Sequence, residues 1–464
     1  MSESNKPPNT AKDSNMKNKT GNENSKLNDG KKDNTETAQK SKKQLKEERR
    51  ALQEKQRKLK AEKQAAEQNK KDNQQKKQEE PTEVKSDKRA QQKEAKRLEK
   101  QRVPQRKSFQ RKVGLFSHLN QFERENTLTE TISFASHTIH PAVIRLGVQY
   151  AQGVICGSNA RCIALLSVLK KLINDYSTPL HKELNRDFDA MLKPQISFLK
   201  QSRPMGVSMG NAIRYFKYNL NNIKSSEPDD KAKETLRKCI DDFIKEKIIL
   251  ADEAISDTAA DKIKNGDVIL TYGASSLILK VLCKAHERKI QFRVIVVDGR
   301  PRMEGKEMLR KLLKEGIECS YSLINATAYA MKEVTKVFLG AHGLLANGYV
   351  MCRIGSGQVA LAAKVYNVPV LVCCETYKFC DRVQTDSFVF NELDDPSDLV
   401  ENGLLVKPLE NWKTMENLYL LNILYDVTPP DLVSLVITEI GMLPCTSVPV
   451  VLRVHNTALT TGFE

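Results

Sequence analysis

The chain has 464 residues and a formal net charge of +17, from 75 Lys and Arg against 58 Asp and Glu. Residues 1–112 hold 34 Lys and Arg against 18 Asp and Glu, so the basicity belongs to the N-terminal tail and the remainder is nearly neutral. No apolar run reaches the roughly 20 residues a membrane span needs, residues 1–30 lack the apolar core of a signal peptide, and the ten scattered cysteines read as reduced thiols rather than a disulfide framework. The length suits two to three domains, and the expected location is the cytosol.

Residues 1–108 contain no Cys, Phe, Trp or Tyr. Such a segment cannot bury enough apolar surface to offset its ordering entropy, so a disordered basic tail is expected. Lys42 to Lys71 is rich in helix formers and oppositely charged neighbours four apart, which suits a transient solvated helix. The tail could contact RNA, ribosome or an acidic partner through charge alone. A soluble spacer explains the same composition, and the absence of aromatics argues against recognition of single strands by stacking.

Val113, Leu115 and Phe116 open the first apolar cluster. From Pro141 to Ala260 the apolar residues recur at helical spacing, as in Val143, Leu146, Gly147 and Tyr150, or Ile163, Leu166, Leu169, Lys170 and Ile173. Pro179, Pro194, Pro204 and Pro228 are expected to divide the run into separate helices. Residues 109–262 thus read as an all-α domain. Within it, Glu246, Lys247 and Leu250 lie within one turn of the 239–263 helix, beside a core stripe.

At Gly266 the period changes. Val268 to Tyr272, Phe292 to Val297, Cys319 to Ile324, Lys336 to Leu339 and Val368 to Cys374 read as strands separated by amphipathic segments. Strands alternating with helices imply a parallel sheet covered on both faces. Residues 263–464 therefore read as a Rossmann-like α/β domain, and the fold class is α/β. Asn347-Gly348 marks a tight reversal, and Gly355-Ser356-Gly357 opens a helix that closes at Asn367. Trp412 to Tyr425 and Pro430 to Ile440 read as closing helices, and Val448 to Val454 as a late edge strand.

Ligands of such sheets sit beyond the carboxyl ends of the strands, which is where His342, Arg353 and Ser356 would lie. The Tyr272-Gly273-Ala274-Ser275 turn could hold an anion at a helix start, although it is neither GxGxxG nor GxxxxGK[ST] and equally fits a plain turn with Ser275 as N-cap. Cys373, Cys374 and Cys380 lack the spacing and the nearby histidines of a metal site. No metal or cofactor is expected.

On the stretch from Leu339 to Lys378, and over about Val113 to Val454 as a whole, the chain resembles the alpha/beta/delta regulatory-subunit family of eukaryotic translation initiation factor 2B, its delta members most of all. That family is similar to isomerases of methylthioribose-1-phosphate and ribose-1,5-bisphosphate. The resemblance implies two departures from the enzymes. Gly273 stands where they carry the catalytic cysteine, and His342, in Gly340-Ala341-His342-Gly343, stands where they carry the catalytic aspartate. Isomerisation needs positioned acid and base groups. Gly273 offers none, and His342, able to titrate near neutrality, would act alone. The relic phosphate pocket keeps Arg203 and puts Arg353 where the family has lysine, while Cys352 and Cys156 replace an asparagine and an arginine.

The resemblance further implies a non-catalytic regulatory subunit of the guanine nucleotide exchange factor for initiation factor 2. Its companions would be the alpha, beta, gamma and epsilon subunits, with beta nearest. Arg186, Glu246 and Leu250 fall where the family meets the alpha subunit of initiation factor 2, especially when phosphorylated. Val113, Leu115 and Phe116 fall near a subunit interface. Asn391 to Pro396 and Tyr425 to Pro430 match the family's dimer-forming domain, so the isolated chain would expose apolar surface. The alternatives are an active sugar-phosphate isomerase and an RNA-binding factor acting through the tail.

Overall fold

In a computed structural model, the described residues are 93, 95–99, 113–121, 138–224, 227–401, 409 and 411–461. The chain divides into units 1–81 and 82–464, and the described residues all belong to the second. The expected tail helix at 42–71 lies outside them. Residues 95–99 are helical, and Leu98, inside the segment expected to be tail, is buried with the core of the helical bundle.

The bundle comprises α1 (Pro141–Ala151), α2 (Ser158–Asp175), α3 (Leu184–Ser202), α4 (Val207–Asn222), α5 (Asp229–Asp242) and α6 (Ala251–Ala260). His140 caps α1 by accepting from Ala142 N, with Pro141 in the first turn where its missing N–H is harmless. The face expected for α1 is the buried one: Val143, Leu146, Gly147 and Tyr150. On α2, Leu166, Leu169 and Ile173 are buried, but Ile163 and Lys170 lie outside the core. Phe188 meets Phe216 and Tyr176 at ring distances of 6.2 and 5.0 Å. One expectation fails here, because Pro194 sits inside α3 rather than between helices. Between α5 and α6 the chain winds as a π-helix over Phe243–Leu250.

Strands β1 (Asp267–Tyr272), β2 (Phe292–Asp298), β3 (Cys319–Leu323), β4 (Lys336–Gly340), β7 (Val370–Cys373), β10 (Leu435–Thr438) and β11 (Gly441–Leu443) form a seven-stranded sheet, ordered β11-β10-β7-β4-β1-β2-β3. All its pairings are parallel except β10 with β11. Its helices include α7 (Ser276–Glu287), α8 (Gly305–Lys314), a single turn α9 (Thr327–Ala330) and α10 (Ser356–Val365). The order reverses at β1: β2 and β3 lie to one side, β4 and β7 to the other. This doubly wound arrangement is the Rossmann-like sheet expected, and its switch point lies between the ends of β1 and β4.

A second sheet was not legible in the sequence. Strands β5 (Gly343–Leu345), β6 (Val350–Arg353), β8 (Phe379–Cys380) and β9 (Tyr425–Thr428) form it in the order β8-β5-β6-β9. Its hairpin β5-β6 turns at Asn347-Gly348, where Gly348 has φ 81°. The closing elements are corrected. Residues 412–443 hold short 3-10 turns with β9, β10 and β11, not helices, and the apolar run among them, Leu435–Thr438, is only four residues long and rich in β-branched side chains. Val448 to Val454 is no strand but the start of helix Val448–Thr461, with Pro449 in its first turn. All ten cysteines are free.

Candidate functional site

At the switch point a cleft of about 440 Å³ is walled by Gly157 to Ala160 of the bundle, by the turn after β1, and by Leu339 to His342 at the end of β4, with Arg353, Ser356, Lys378 and Tyr425 around it. The N-termini of α2, α7 and α10 border this space, and N-termini favour anions. At α7 the hydroxyl of Ser275 already accepts from Ile278 N at 3.4 Å.

The cations of the cleft are met by carboxylates of the chain itself. Arg353, on the last residue of β6, donates Nε and Nη2 to Glu304 at 2.9 and 2.8 Å, a two-pronged pair. Its guanidinium lies 5.2 Å from the ring centre of Tyr425. Lys378 pairs with Glu375 at 2.7 Å, and Glu375 also accepts from Asn159 Nδ2 of α2 at 2.7 Å. Burial pushes the Glu375 carboxyl up, but Lys378 and these bonds prevail and hold it below the ordinary range. Arg203, in the link after α3, donates Nε to Glu392 at 3.0 Å, and Arg161 of α2 donates Nη1 to the same residue at 3.1 Å. Burial alone would raise Glu392, yet the two guanidiniums bring it down to about 2.

His342 is buried, its ring 4.2 Å from that of Tyr425. Burial lowers its pKa to about 3, with Arg161, Arg353 and Lys378 adding to the effect and Glu392 opposing it. The expectation that His342 titrates near neutrality is therefore corrected. An imidazole with so low a pKa is a weak base and carries no proton to donate as an imidazolium acid at physiological pH. Gly273 has φ 64° and lines a smaller cavity of about 40 Å³ with Arg302, Glu304 and Arg353. A third, of about 30 Å³, lies between Arg203, Arg302, Glu392 and Asp394. Gly273, His342, Arg203 and Arg353 thus line neighbouring spaces around one crossover. The arrangement offers positive charge already neutralised, and no acid–base couple at the two positions where the resemblance looks for one.

The second set of expected residues lies apart, on the bundle. Arg186 is exposed on α3 and pairs with Glu183 at 3.0 Å. Glu246 and Leu250 belong to the π-helical turn, where the hydrogen bond runs from i to i+5 and spacing by four no longer stacks residues as in an α-helix. Glu246 is exposed, and Leu250 is 47% exposed beside Ile249 at 46%. The third set forms the 3-10 turn Gly114–Phe116: Leu115 is exposed, Val113 half-buried and Phe116 buried. His118 just after it bonds Phe388 O at 2.7 Å, tying the turn to the segment before Glu392.

Sequence reasoning did not single out Arg161, Glu304, Glu392 or Asp426. Asp426 on β9 accepts from Gly355 N and Gly357 N at 2.8 and 2.9 Å, placing a carboxylate on the N-terminus of α10. The available signals were the acidic residues of the Asn391 to Pro396 turn and Asp426 within the Tyr425 to Pro430 stretch. Among the described residues no group of His, Cys, Asp and Glu is placed to hold a metal ion, and no helix is long and apolar enough to cross a membrane.

Comparison with known proteins gives a consistent picture. Residues 154–445 match the family described as the initiation factor 2 subunit family. The translation initiation factor eIF2B subunit delta of Schizosaccharomyces pombe is 45% identical over 357 residues, 76% of this chain and 75% of that protein. The subunit of the same name from Dictyostelium discoideum is 44% identical over 355 residues, 75% of this chain and 57% of that protein, so the chain spans little more than half the length of that relative. Among solved structures, a chain of the tetrameric eIF2B-beta2-delta2 complex from C. thermophilum superposes with a TM-score of 0.63 at 33% identity, covering 71% of this chain and 98% of that one.

Proposed function

The chain belongs to the initiation factor 2 subunit family, and from that premise we infer that it is a delta-type regulatory subunit of the exchange factor for initiation factor 2, working in the cytosol without catalytic chemistry of its own. The observation that carries this is the 44–45% identity to two delta subunits over three quarters of the chain. The site supports it from the chemical side: His342 is held neutral and Gly273 has no side chain, so the crossover lacks the couple an isomerase needs.

In this reading the α/β domain pairs with a beta subunit, as the likeness to a beta2-delta2 complex suggests, and the alpha, gamma and epsilon subunits complete the assembly. Val113, Leu115 and Phe116 contribute to a subunit contact. Arg186, Glu246 and Leu250 belong to the face that meets the alpha subunit of initiation factor 2. Binding the phosphorylated form there shifts the complex toward an inhibited arrangement through its differential affinity for the two states.

The test is companionship. A tagged full chain recovered from cells is expected to bring down a beta-type subunit in equal amount, with the other subunits at lower salt stability. Recovery as a lone monomer refutes the assignment. Within the recovered complex, Glu246→Ala with Leu250→Ala is expected to weaken capture of phosphorylated alpha about tenfold or more while leaving subunit recovery intact. Unchanged capture removes these residues from the contact.

A further inference from the structure

Two arginines of the helical bundle, Arg161 and Arg203, close on the carboxylate of Glu392. It stands in the Asn391 to Pro396 turn of the α/β domain and is buried, as are Arg161 and Arg203. Arg161 reaches one of its oxygens at 3.1 Å from α2, and Arg203 the other at 3.0 Å from the link between α3 and α4. Arg161 also donates Nη2 to Pro204 O, so the link itself is drawn into the cluster. The turn is fixed from its own side: Asn391 bonds Tyr425 O at 2.8 Å and accepts from Glu392 N at 2.8 Å. One carboxylate thus joins two bundle elements to a rigid part of the sheet domain.

The pairing is not saturated. Nη1 and Nη2 of Arg203 are buried without a hydrogen-bond partner, and the cavity of about 30 Å³ lies beside them. Two guanidiniums face one carboxylate, so this place demands negative charge. A buried cation that loses its partner is strongly unfavourable, and here the chain supplies the anion from 189 residues away.

We propose that Glu392 is a tethered anion. Its carboxylate permanently fills the position between Arg161 and Arg203 in which a free oxyanion would otherwise be needed to hold the helical bundle on the α/β domain. The mutual placement of the two parts is then independent of any small molecule. Glu392 acts as a positioning residue, and a free oxyanion does not compete for the place while it is present. None of this rests on the subunit reading, and it stands or falls on the single chain.

The test is chemical rescue of the full chain. Glu392→Gly removes the carboxylate and leaves space between the arginines. Its melting temperature in sodium chloride is expected to fall by about 10 °C. Replacing chloride by formate or acetate at equal ionic strength is expected to recover at least half of that fall, by binding to the folded state alone. Wild type is expected to move by less than about 2 °C with formate, acetate or inorganic phosphate. A folded Glu392→Gly that responds no better to formate than to chloride overturns the proposal, and so does a wild-type chain strongly stabilised by phosphate. Should Glu392→Gly be insoluble in every buffer, Glu392→Asp decides, since it keeps the charge but withdraws it by one methylene. Melting several degrees below wild type supports the tethered anion, and melting within about 1 °C of wild type overturns it.

Discussion

Asp426 presents two opposed effects of similar size, and their balance can be measured. Its carboxylate receives the N–H groups of Gly355 and Gly357 at the start of α10, where negative charge is favoured. It is also enclosed, and its second oxygen is buried with no hydrogen-bond partner. Burial prevails over the backbone bonds and raises its pKa from the ordinary 3.8 to about 6. A folded pKa above the unfolded one means that the fold binds the proton more tightly, so the contribution of this one group to stability is fully present below about pH 4 and is lost as the pH rises through about 6. The ionised fold is disfavoured by about 3 kcal/mol, at 1.36 kcal/mol per pH unit. In Asp426→Asn the amide oxygen keeps both N–H bonds without the charge. Urea unfolding of both chains from pH 4 to pH 7.5 is the assay. The difference, variant minus wild type, should grow by about 2–3 kcal/mol in favour of the variant, with most of the change between pH 4 and 6.5. A difference that is flat, or that falls as the pH rises, would show that attraction to the helix terminus outweighs burial and would refute the reasoning.

Other perturbations probe the same crossover. Arg353→Ala leaves Glu304 without its two-pronged partner and should destabilise by about 3 kcal/mol. In a double-mutant cycle with Glu304→Ala, a coupling energy above about 1 kcal/mol is expected, and additive losses would mean the pair is unimportant. Gly355 has φ 102°, and a Cβ there would lie 2.8 Å from Cζ of Tyr272. Gly355→Ala should therefore lower stability by about 2 kcal/mol or more in urea unfolding. A neutral outcome would show that the Tyr272 ring and the turn can both give way.

The sequence revealed what local pattern controls. The α1 face from Val143 to Tyr150 and the parallel strands β1 and β2 were readable because burial on one face or on both leaves a period in the residues. The C-terminal third was misread where that period fails. Leu435–Thr438 is too short for periodicity to separate strand from helix. Val448–Thr461 begins with β-branched residues and a proline, yet Pro449 falls in the first turn, where a helix tolerates it. The tight turn at Gly348 was visible, but the four-stranded sheet it serves depends on β9, over 70 residues further along the chain. Half of the candidate site was legible by another route, the ends of the expected strands for His342 and Arg353 and the family resemblance for Arg203 and Gly273. Arg203, Gly273, His342 and Arg353 stand at recognisable positions, whereas their partners Glu392 and Glu304 are 189 residues from Arg203 and 49 from Arg353, and nothing local announces such pairings.

Those partners decide what the crossover can do. A switch-point cleft bordered by helix N-termini and arginines is a place for anionic ligands, and the identities of Arg203 and Arg353 alone would keep that reading open. With Glu392 and Glu304 in place, the same arginines spend their strongest hydrogen bonds on the chain. An anion arriving at the place that Glu392 or Glu304 occupies would have to displace a carboxylate that cannot diffuse away, so the effective concentration of the competitor there is that of a tethered group. His342, neutral and stacked on Tyr425, adds shape and no proton transfer. What an enzyme would keep free for its substrate is here committed to the chain's own carboxylates, and the pairs of Arg161 and Arg203 with Glu392 join the bundle to the sheet. That is the arrangement a scaffold needs if the relative placement of its two surfaces is to be read by other proteins.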